Sequence, residues 1–434
     1  MDTSYMVFNI LNEETFALEH NRYSFILLQI VPLIFVKLSF GLEVILYVVS
    51  IWTALVYALI AFLLYKISKQ WILTIVWTMI LVVPIHEFYY FAFSESIMAM
   101  GFSLLVYGLL NKFLVSNKVT LVQWLILFVC SVIAVFFHPY AFVYLMIVCT
   151  ALILKNGLHG VLKNYSFVLL VCLVLYWFFK PKGGYDSGVL GQMLINAHPK
   201  AFIKSYVFDF YMGNFKVYYW SFFVVLVFIV FQYIKTKCWA KLMMYLSSVV
   251  LVFILCALAF HSGDGVFFME KNLLPVCLVM VLPIAGIYET LFIKVIWKRI
   301  VLISFFILIL NGMYQIHRTG LKFRMRTNVI VDAMNKMNQN QIEKGFISDG
   351  VFHYSENITP WTMPYETLII SNVQFNRSVT IKPMNVNTNS TKFENEFIGS
   401  DFTPIINLDI QPLNPQFFKP MSGTYHVIDS LIKE

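Results

Sequence analysis

Charge is scarce in this chain. Only 12% of its 434 residues are charged, about half the usual share, and nothing in it reads as disorder, collagen or coiled coil. Its six cysteines, Cys130, Cys149, Cys172, Cys238, Cys256 and Cys277, have neither the spacing of a zinc site nor that of a redox pair. Five lie inside apolar runs and Cys238 in a short basic loop, so they read as free thiols packed as small hydrophobes. No CxxC, Walker loop, GxGxxG or HExxH occurs, which removes the usual sequence support for soluble nucleotide chemistry and for zinc peptidases. Apolar side chains are abundant instead: 59% hydrophobic residues, 17% aromatic, and a mean hydropathy of +0.75. That exceeds what one globular core can hide, so lipid must solvate much of the surface. The formal charge of +8 comes in small clusters between apolar runs, as membrane topology requires, and does not indicate a nucleic-acid partner.

A helix needs about 20 apolar residues to cross a hydrocarbon core of about 30 Å. Candidate spans fall at 42–65, 71–84, 96–113, 119–137, 140–154, 164–179, 219–234, 241–260, 272–293 and 299–315. The expected fold is therefore mainly α, a polytopic membrane domain over 42–315 with ten passes. Several are short, 71–84 above all, and the HEFYYFAFSES stretch that follows it suits a helix at the water interface. Lysine and arginine clusters at 66–69, 112–118, 155–163, 235–241 and 294–299 occupy every second connection, which marks that side as cytoplasmic.

The opposite, outer side then receives residues 1–41, the segments near 86–95 and 138, the 180–218 loop, 261–271, and everything from 316 onward. Residues 23–38 hold only a short apolar run with Pro32, which suggests a helix lying in the outer interface. No signal peptide is visible. Either the N-terminus translocates by itself, or the natural protein has a first helix upstream of Met1. From 316 to 434 the composition turns polar: basic HRTGLKFRMR, then TNVIVDAMNKMNQ with helical spacing, then β-like runs such as ETLIISNVQ and SVTIKP. This reads as a small soluble α+β domain on the outer side. The triplets at Asn357, Asn376 and Asn389 match the glycosylation pattern.

Ionisable groups in a membrane domain are costly and mark pathways or sites. Under this topology Asp2, Glu13, Glu14, Glu19, Glu43, Glu87, Glu95, Asp186, Asp209, Asp264 and Glu270 all face outward. His20, His86, His138, His198 and His261 do so too. Chemistry is therefore expected at the outer helix ends. Glu87 and Glu95 sit among Phe, Tyr and Met, and in GDGVFFMEKNLLP the pair Glu270 and Lys271 enters a span. Such a pair at a helix mouth is often only a surface cap. A carboxylate can serve as general base for an acceptor hydroxyl, and a cation can stabilise a leaving phosphate. With no Gly-rich loop, side chains such as Arg22, His261 and Lys271 would hold that phosphate, with His20, His86 and Glu270 as further substrate contacts. A donor carried in the lipid phase reaches the outer face, whereas a soluble nucleotide donor does not.

This layout resembles the C-type (GT-C) membrane glycosyltransferases, a superfamily that includes protein mannosyltransferases and aminoarabinose transferases. The resemblance rests on the acidic first segment MDTSYMVFNILNEETFALEHNRYSF, the helix with Pro32, the short span before HEFYYFAFSES, the HSGDGVFFMEKNLLP loop and the outer tail. EHNRYSFILLQIVP and WTMPYETLIIS are similar to segments of uncharacterised bacterial membrane proteins related to that superfamily. The resemblance implies a multi-pass protein of the bacterial inner membrane. It implies transfer of a sugar from a polyprenyl-phosphate donor to a hydroxyl on a glycan, lipid or protein. It also implies a catalytic carboxylate in the first outer loop, for which Asp2 is the positional match and Glu13, Glu14 and Glu19 are substitutes. Glu87 and Glu95 match a second acidic segment that contacts acceptor or, in some relatives, a divalent metal; no metal ligands are assigned here. Lys271 stands where relatives often place a basic residue near the donor phosphate. Two features depart from the family: no helix precedes Asp2, and Lys271 offers a point charge in place of the bidentate fork of an arginine. The competing readings are a polysaccharide polymerase or ligase, a transporter or flippase, and a non-catalytic membrane protein.

Overall fold

The computed structural model describes residues 3–18, 22–69, 71–86, 89, 94–116, 119–179, 191, 195, 204–259, 270–290, 295–348, 362–383, 397–398 and 410–433. It is mainly helical. In chain order the helices are α1 (Thr3–Glu13), α2 (Ile26–Lys37, after a 3-10 turn at Tyr23–Phe25), α3 (Leu42–Ser68), α4 (Trp71–Val82), α5 (Glu95–Ser116), α6 (Leu121–Phe137), α7 (Ala141–Asn156) and α8 (Gly160–Phe179). Then come α9 (Tyr206–Asn214), a π-helical turn (Phe215–Tyr219), α10 (Trp220–Lys235), α11 (Trp239–Ala259), α12 (Leu274–Val281), α13 (Pro283–Thr290) and α14 (Val295–Gln339).

Helix boundaries follow local chemistry. Thr120 opens α6 with a capping box, its Oγ1 accepting from the Gln123 N–H at 3.3 Å while Gln123 Oε1 accepts from the Thr120 N–H at 2.9 Å. Gly157 ends α7 at φ +74°, a left-handed backbone that glycine adopts without a Cβ clash. The expected span 272–293 is interrupted: Pro283 lacks the N–H that would continue the ladder, and α12 passes into α13 there.

Among the described residues six helical stretches are long and apolar enough to cross a membrane, or seven if the bent pair around the π-helical turn counts as one. α4, α6 and α7 are apolar but only 12, 17 and 16 residues long. A multi-pass membrane protein follows from these helices. Contacts also sort the two ends of the bundle. At one end Lys241 Nζ lies 3.5 Å from the Lys155 carbonyl, Trp71 packs edge-on against Tyr288, and Lys298 sits 5.4 Å from the same ring. At the other end Gly312 of α14 abuts the last residues of α4: a Cβ there would lie 2.6 Å from the Val82 carbonyl oxygen.

The expected domain boundary at 316 falls within α14, which runs unbroken for 45 residues, about 68 Å at 1.5 Å per residue, from the apolar bundle into the polar tail. One expectation for the tail is corrected. ETLIISNVQ is helical, not a strand, and belongs to α15 (Met363–Phe375). Pro364 in the first turn and Glu366 just after it are helix-start signals that outweigh the β-branched pair Ile369–Ile370. SVTIKP does yield β2 (Thr380–Pro383), which pairs in parallel with β1 (Lys344–Ile347). Two-residue strands β3 (Phe397–Ile398) and β4 (Ile410–Gln411) pair antiparallel, β5 (His426–Val427) completes a sheet of order β2-β1-β5, and α16 (Asp429–Lys433) ends the chain. Since β1, α15 and β2 follow in sequence, the tail has a strand-helix-strand crossover. Its apolar face, Ile347, Ile381 and Ile428, packs on Met334 and Met337 of α14.

The N-terminal helix joins tail and bundle. Seven consecutive residues of α1, Tyr5 through Leu11, are buried. Phe8 meets Tyr365, Phe397 and Phe418 with ring centroids 4.9–5.6 Å apart. Asn414 closes the other end of α1, its Nδ2 donating to the Leu11 carbonyl at 3.0 Å and to Glu14 Oε1 at 3.1 Å. The N-terminal helix and the tail therefore stand on the same side of the bundle.

Candidate functional site

The candidate side chains sit where the most buried helices begin, at the tail end of the bundle. α5 is buried along most of its length, and the helical stretch from Glu270 to Tyr288 throughout. Each starts with a glutamate. Ser94 caps α5, its Oγ accepting from the Ile97 N–H at 3.2 Å, and Glu95 follows in the first helical position, where the helix dipole favours negative charge. Glu270 occupies the corresponding place in the second stretch.

Glu95 is paired with Arg22: Nη1 of the guanidinium donates to Oε2, and both side chains are buried. Arg22 is fixed by the 3-10 turn that begins behind it, in which its carbonyl accepts from the Phe25 N–H at 2.9 Å. Tyr23 of the same turn lies against Phe136 at the end of α6. Beside Glu95, Ser96 Oγ and the Tyr144 hydroxyl share a hydrogen bond of 2.8 Å that links α5 to the start of α7. His138, between α6 and α7, is also buried, and its Nδ1 accepts from the Tyr140 N–H at 3.1 Å.

Glu270 is completely buried, and its Oε2 accepts from the backbone N–H of His86 at 2.9 Å. His86 follows the end of α4, so this contact ties the C-terminal end of one helix to the N-terminal end of another. Burial pushes the His86 imidazole down to about 4, against a smaller upward pull from the Val83 backbone. Lys271 is 8% exposed and Asn272 is buried beside it. A surface cap of Glu270 and Lys271 is thereby overturned: both side chains are inside the protein.

Five of the nine predicted site residues are thus placed at helix ends on the tail side: Arg22, His86, Glu95, Glu270 and Lys271. Contacts join them as Arg22 with Glu95 and His86 with Glu270. Asp2, His20, Glu87 and His261 lie outside the described residues, as does most of HEFYYFAFSES. Of the substitute acids, Glu14 is held at the tail junction by Lys37 (3.1 Å) and Asn414, which together keep its carboxyl below the usual range, and Glu13 is exposed. Ser96 and Tyr144 were not singled out from sequence. Ser96 neighbours a flagged glutamate, but Tyr144 sits in an apolar span with nothing to mark it. Among the described residues no three His, Cys, Asp or Glu side chains come together as metal ligands, and all six cysteines are free.

Chemically, the arrangement supplies a buried cation held by a carboxylate, a second carboxylate at a helix N-terminus, and a lysine beside it. Such a set can hold an anion and place a proton acceptor near it. Comparison of the chain with known protein families, curated proteins and solved structures returns no match.

Proposed function

We propose that the chain is a membrane glycosyltransferase that moves a sugar from a polyprenyl-phosphate donor to a hydroxyl acceptor on the outer face of the membrane. In this reading α3 to α14 make ten passes, with the lysine-bearing end in the cytoplasm and the tail and α1 outside. The observation that carries it is the burial of Arg22–Glu95 and of Glu270 and Lys271 at the heads of the two central helices. Charge is costly to bury in a membrane domain and is kept where it performs a task.

The reaction needs little from the protein beyond placement and charge. An acceptor oxygen attacks the anomeric carbon, the bond from that carbon to the phosphate oxygen breaks, and the acceptor proton passes to a carboxylate. The polyprenyl phosphate leaves with increased negative charge, which Lys271 and Arg22 stabilise. Glu95 holds Arg22 in place, so the base is assigned to Asp2 or Glu87.

A transfer assay on membranes with a polyprenyl-phosphate-linked sugar tests this. Asp2→Asn should abolish transfer and leave donor binding intact, because the amide keeps the shape but accepts no proton. Lys271→Ala removes a charge-assisted contact of about 1.5–3 kcal/mol and should reduce donor binding and transfer together, by roughly ten- to a hundredfold. Unchanged binding and transfer in Lys271→Ala would remove the donor phosphate from this site.

A further inference from the structure

Helix α14 leaves the bundle with an exposed cationic face that the proposed site does not use. Its apolar run ends near Ile316, and no carboxylate occurs between Glu289 and Asp332. At the end of that run Tyr314, and beyond it Leu321, Met325 and Val329, remain exposed, Met325 at 69%. Spacings of seven, four and four residues put them on one stripe of the helix. Arg318 and Lys322 follow one flank of the stripe and His317 and Arg324 the other, all four exposed. Arg326, the next basic residue, is instead engaged with both carboxylate oxygens of Glu366 on α15.

The axial position of this face follows from helix geometry. Arg299 and Arg318 are separated by 19 residues, about 28 Å along the axis, close to the roughly 30 Å of a hydrocarbon core. With Arg299 at one boundary, Arg318 lies at the other, and Arg324 lies about 9 Å further out, within the headgroup layer. The apolar stripe continues the lipid-facing surface of the span below it. Arginine and lysine stems can therefore lie along Leu321 and Met325 while their charged ends reach phosphate groups. A soluble acidic partner would match the charge but would leave that stripe without a reason to be apolar.

We infer that residues 314–329 of α14 form a docking surface for the headgroups of anionic phospholipids in the leaflet nearer the tail. This requires α14 to cross the membrane and is independent of the transferase reading.

Full-length protein in neutral detergent, titrated with phosphatidylglycerol or phosphatidylcholine and read by native mass spectrometry, tests the assignment. Phosphatidylglycerol should bind at least tenfold more tightly, and R318Q/R324Q should cut its affinity about tenfold without changing that for phosphatidylcholine. L321S/M325S should also weaken phosphatidylglycerol severalfold, because acyl and glycerol contacts are lost. Arg326→Gln, whose partner is Glu366, should lower the thermal stability of the tail and leave the lipid preference unaltered. Retention of the full preference by R318Q/R324Q, or displacement of the lipid by millimolar inorganic phosphate, would overturn the inference.

Discussion

The two central stretches, Glu95–Ser116 and Glu270–Tyr288, differ from the outer helices in a way that reverses the habit learned from soluble proteins. Their apolar windows are 89% and 100% buried, whereas those of Leu42–Ile67 and Gly160–Phe179 are 28% and 22% buried. Yet the buried stretches are the less apolar ones. α5 carries Glu95, Ser96, Ser103 and Asn111 among its buried residues, while α8 exposes Phe167, Leu170, Trp177 and Phe178. With lipid as solvent an exposed aliphatic side chain costs nothing, and a polar one must turn inward to find a partner. Ser103 Oγ, for instance, donates to the Ala99 carbonyl at 2.8 Å. Polarity, not hydropathy, identifies the centre of this molecule.

The sharpest way to break that contrast is to remove one partner of the Arg22–Glu95 pair. Glu95→Leu leaves a guanidinium buried without its carboxylate and should cost about 3–5 kcal/mol, read as a fall in melting temperature in detergent. R22M/E95L should recover most of the loss, since an apolar pair of similar volume often matches a buried ion pair. An equally large fall in the double variant would show that the region depends on something other than this pair.

Acidification separates the two regions next. His86 holds a folded pKa of about 4 because it is buried, against 6.5 in an unfolded chain. Between these values the unfolded chain takes up a proton that the folded one refuses. Stability is thus complete above pH 6.5 and declines toward pH 4, by on the order of 3 kcal/mol. His86→Gln should flatten that part of the profile, and a profile unchanged by the substitution would remove His86 as its source.

Much of this organisation is legible in the sequence, and the gaps have physical causes. Among the described residues nine of the candidate spans each fall on one helix and 272–293 falls on the broken pair α12 and α13, because long apolar runs without a turn signal leave little alternative to helix. Among the described residues, the gathering of His86, Glu95 and Glu270 at the end away from Lys155, Lys241 and Lys298 was also visible, since lysines marked that other end. Burial of Glu270 and Lys271 was not, because a charged pair at a helix mouth looks alike whether solvent or Asn272 and His86 surround it. The α1 junction was hidden for a different reason. Asn12 and Asn414 are 402 residues apart, and only the fold brings the Asn414 N–H within 2.8 Å of Asn12 Oδ1.

Glycines offer a graded test. Gly312→Ala would drive a methyl against the Val82 backbone and should cost about 1–3 kcal/mol, outweighing the roughly 1 kcal/mol gained in helix propensity. Gly101→Ala meets the Ile60 Cδ1 atom at 2.9 Å and the Trp77 ring at 3.0 Å. The Ile60 end can rotate away, so about 1 kcal/mol is expected. Gly160→Ala, with no atom within 4 Å, should be neutral or gain up to about 0.5 kcal/mol. A reversed order would mean that α14 does not pack on α4 as described.

The smallest effect belongs to the tail, where Glu343 joins α15 and the chain near Ser422 to the start of β1. Its Oε1 accepts from Arg377 Nε and Nη2 at 3.2 and 3.0 Å, and its Oε2 accepts from the Ser422 N–H at 2.6 Å. Burial alone would raise this carboxyl, but the Ser422 N–H and the Arg377 guanidinium outweigh it and hold it below 4.5. Its contribution is therefore present above the unfolded value and disappears as pH falls through the lowered folded one. Both side chains are partly exposed, so Glu343→Gln should cost only about 1 kcal/mol near neutral pH, and the variant should converge with wild type in acid. The same substitution should leave the Arg22–Glu95 end of the bundle untouched. If it also shifted the pH profile assigned to His86, tail and bundle would have to unfold as one cooperative unit through the α1 junction.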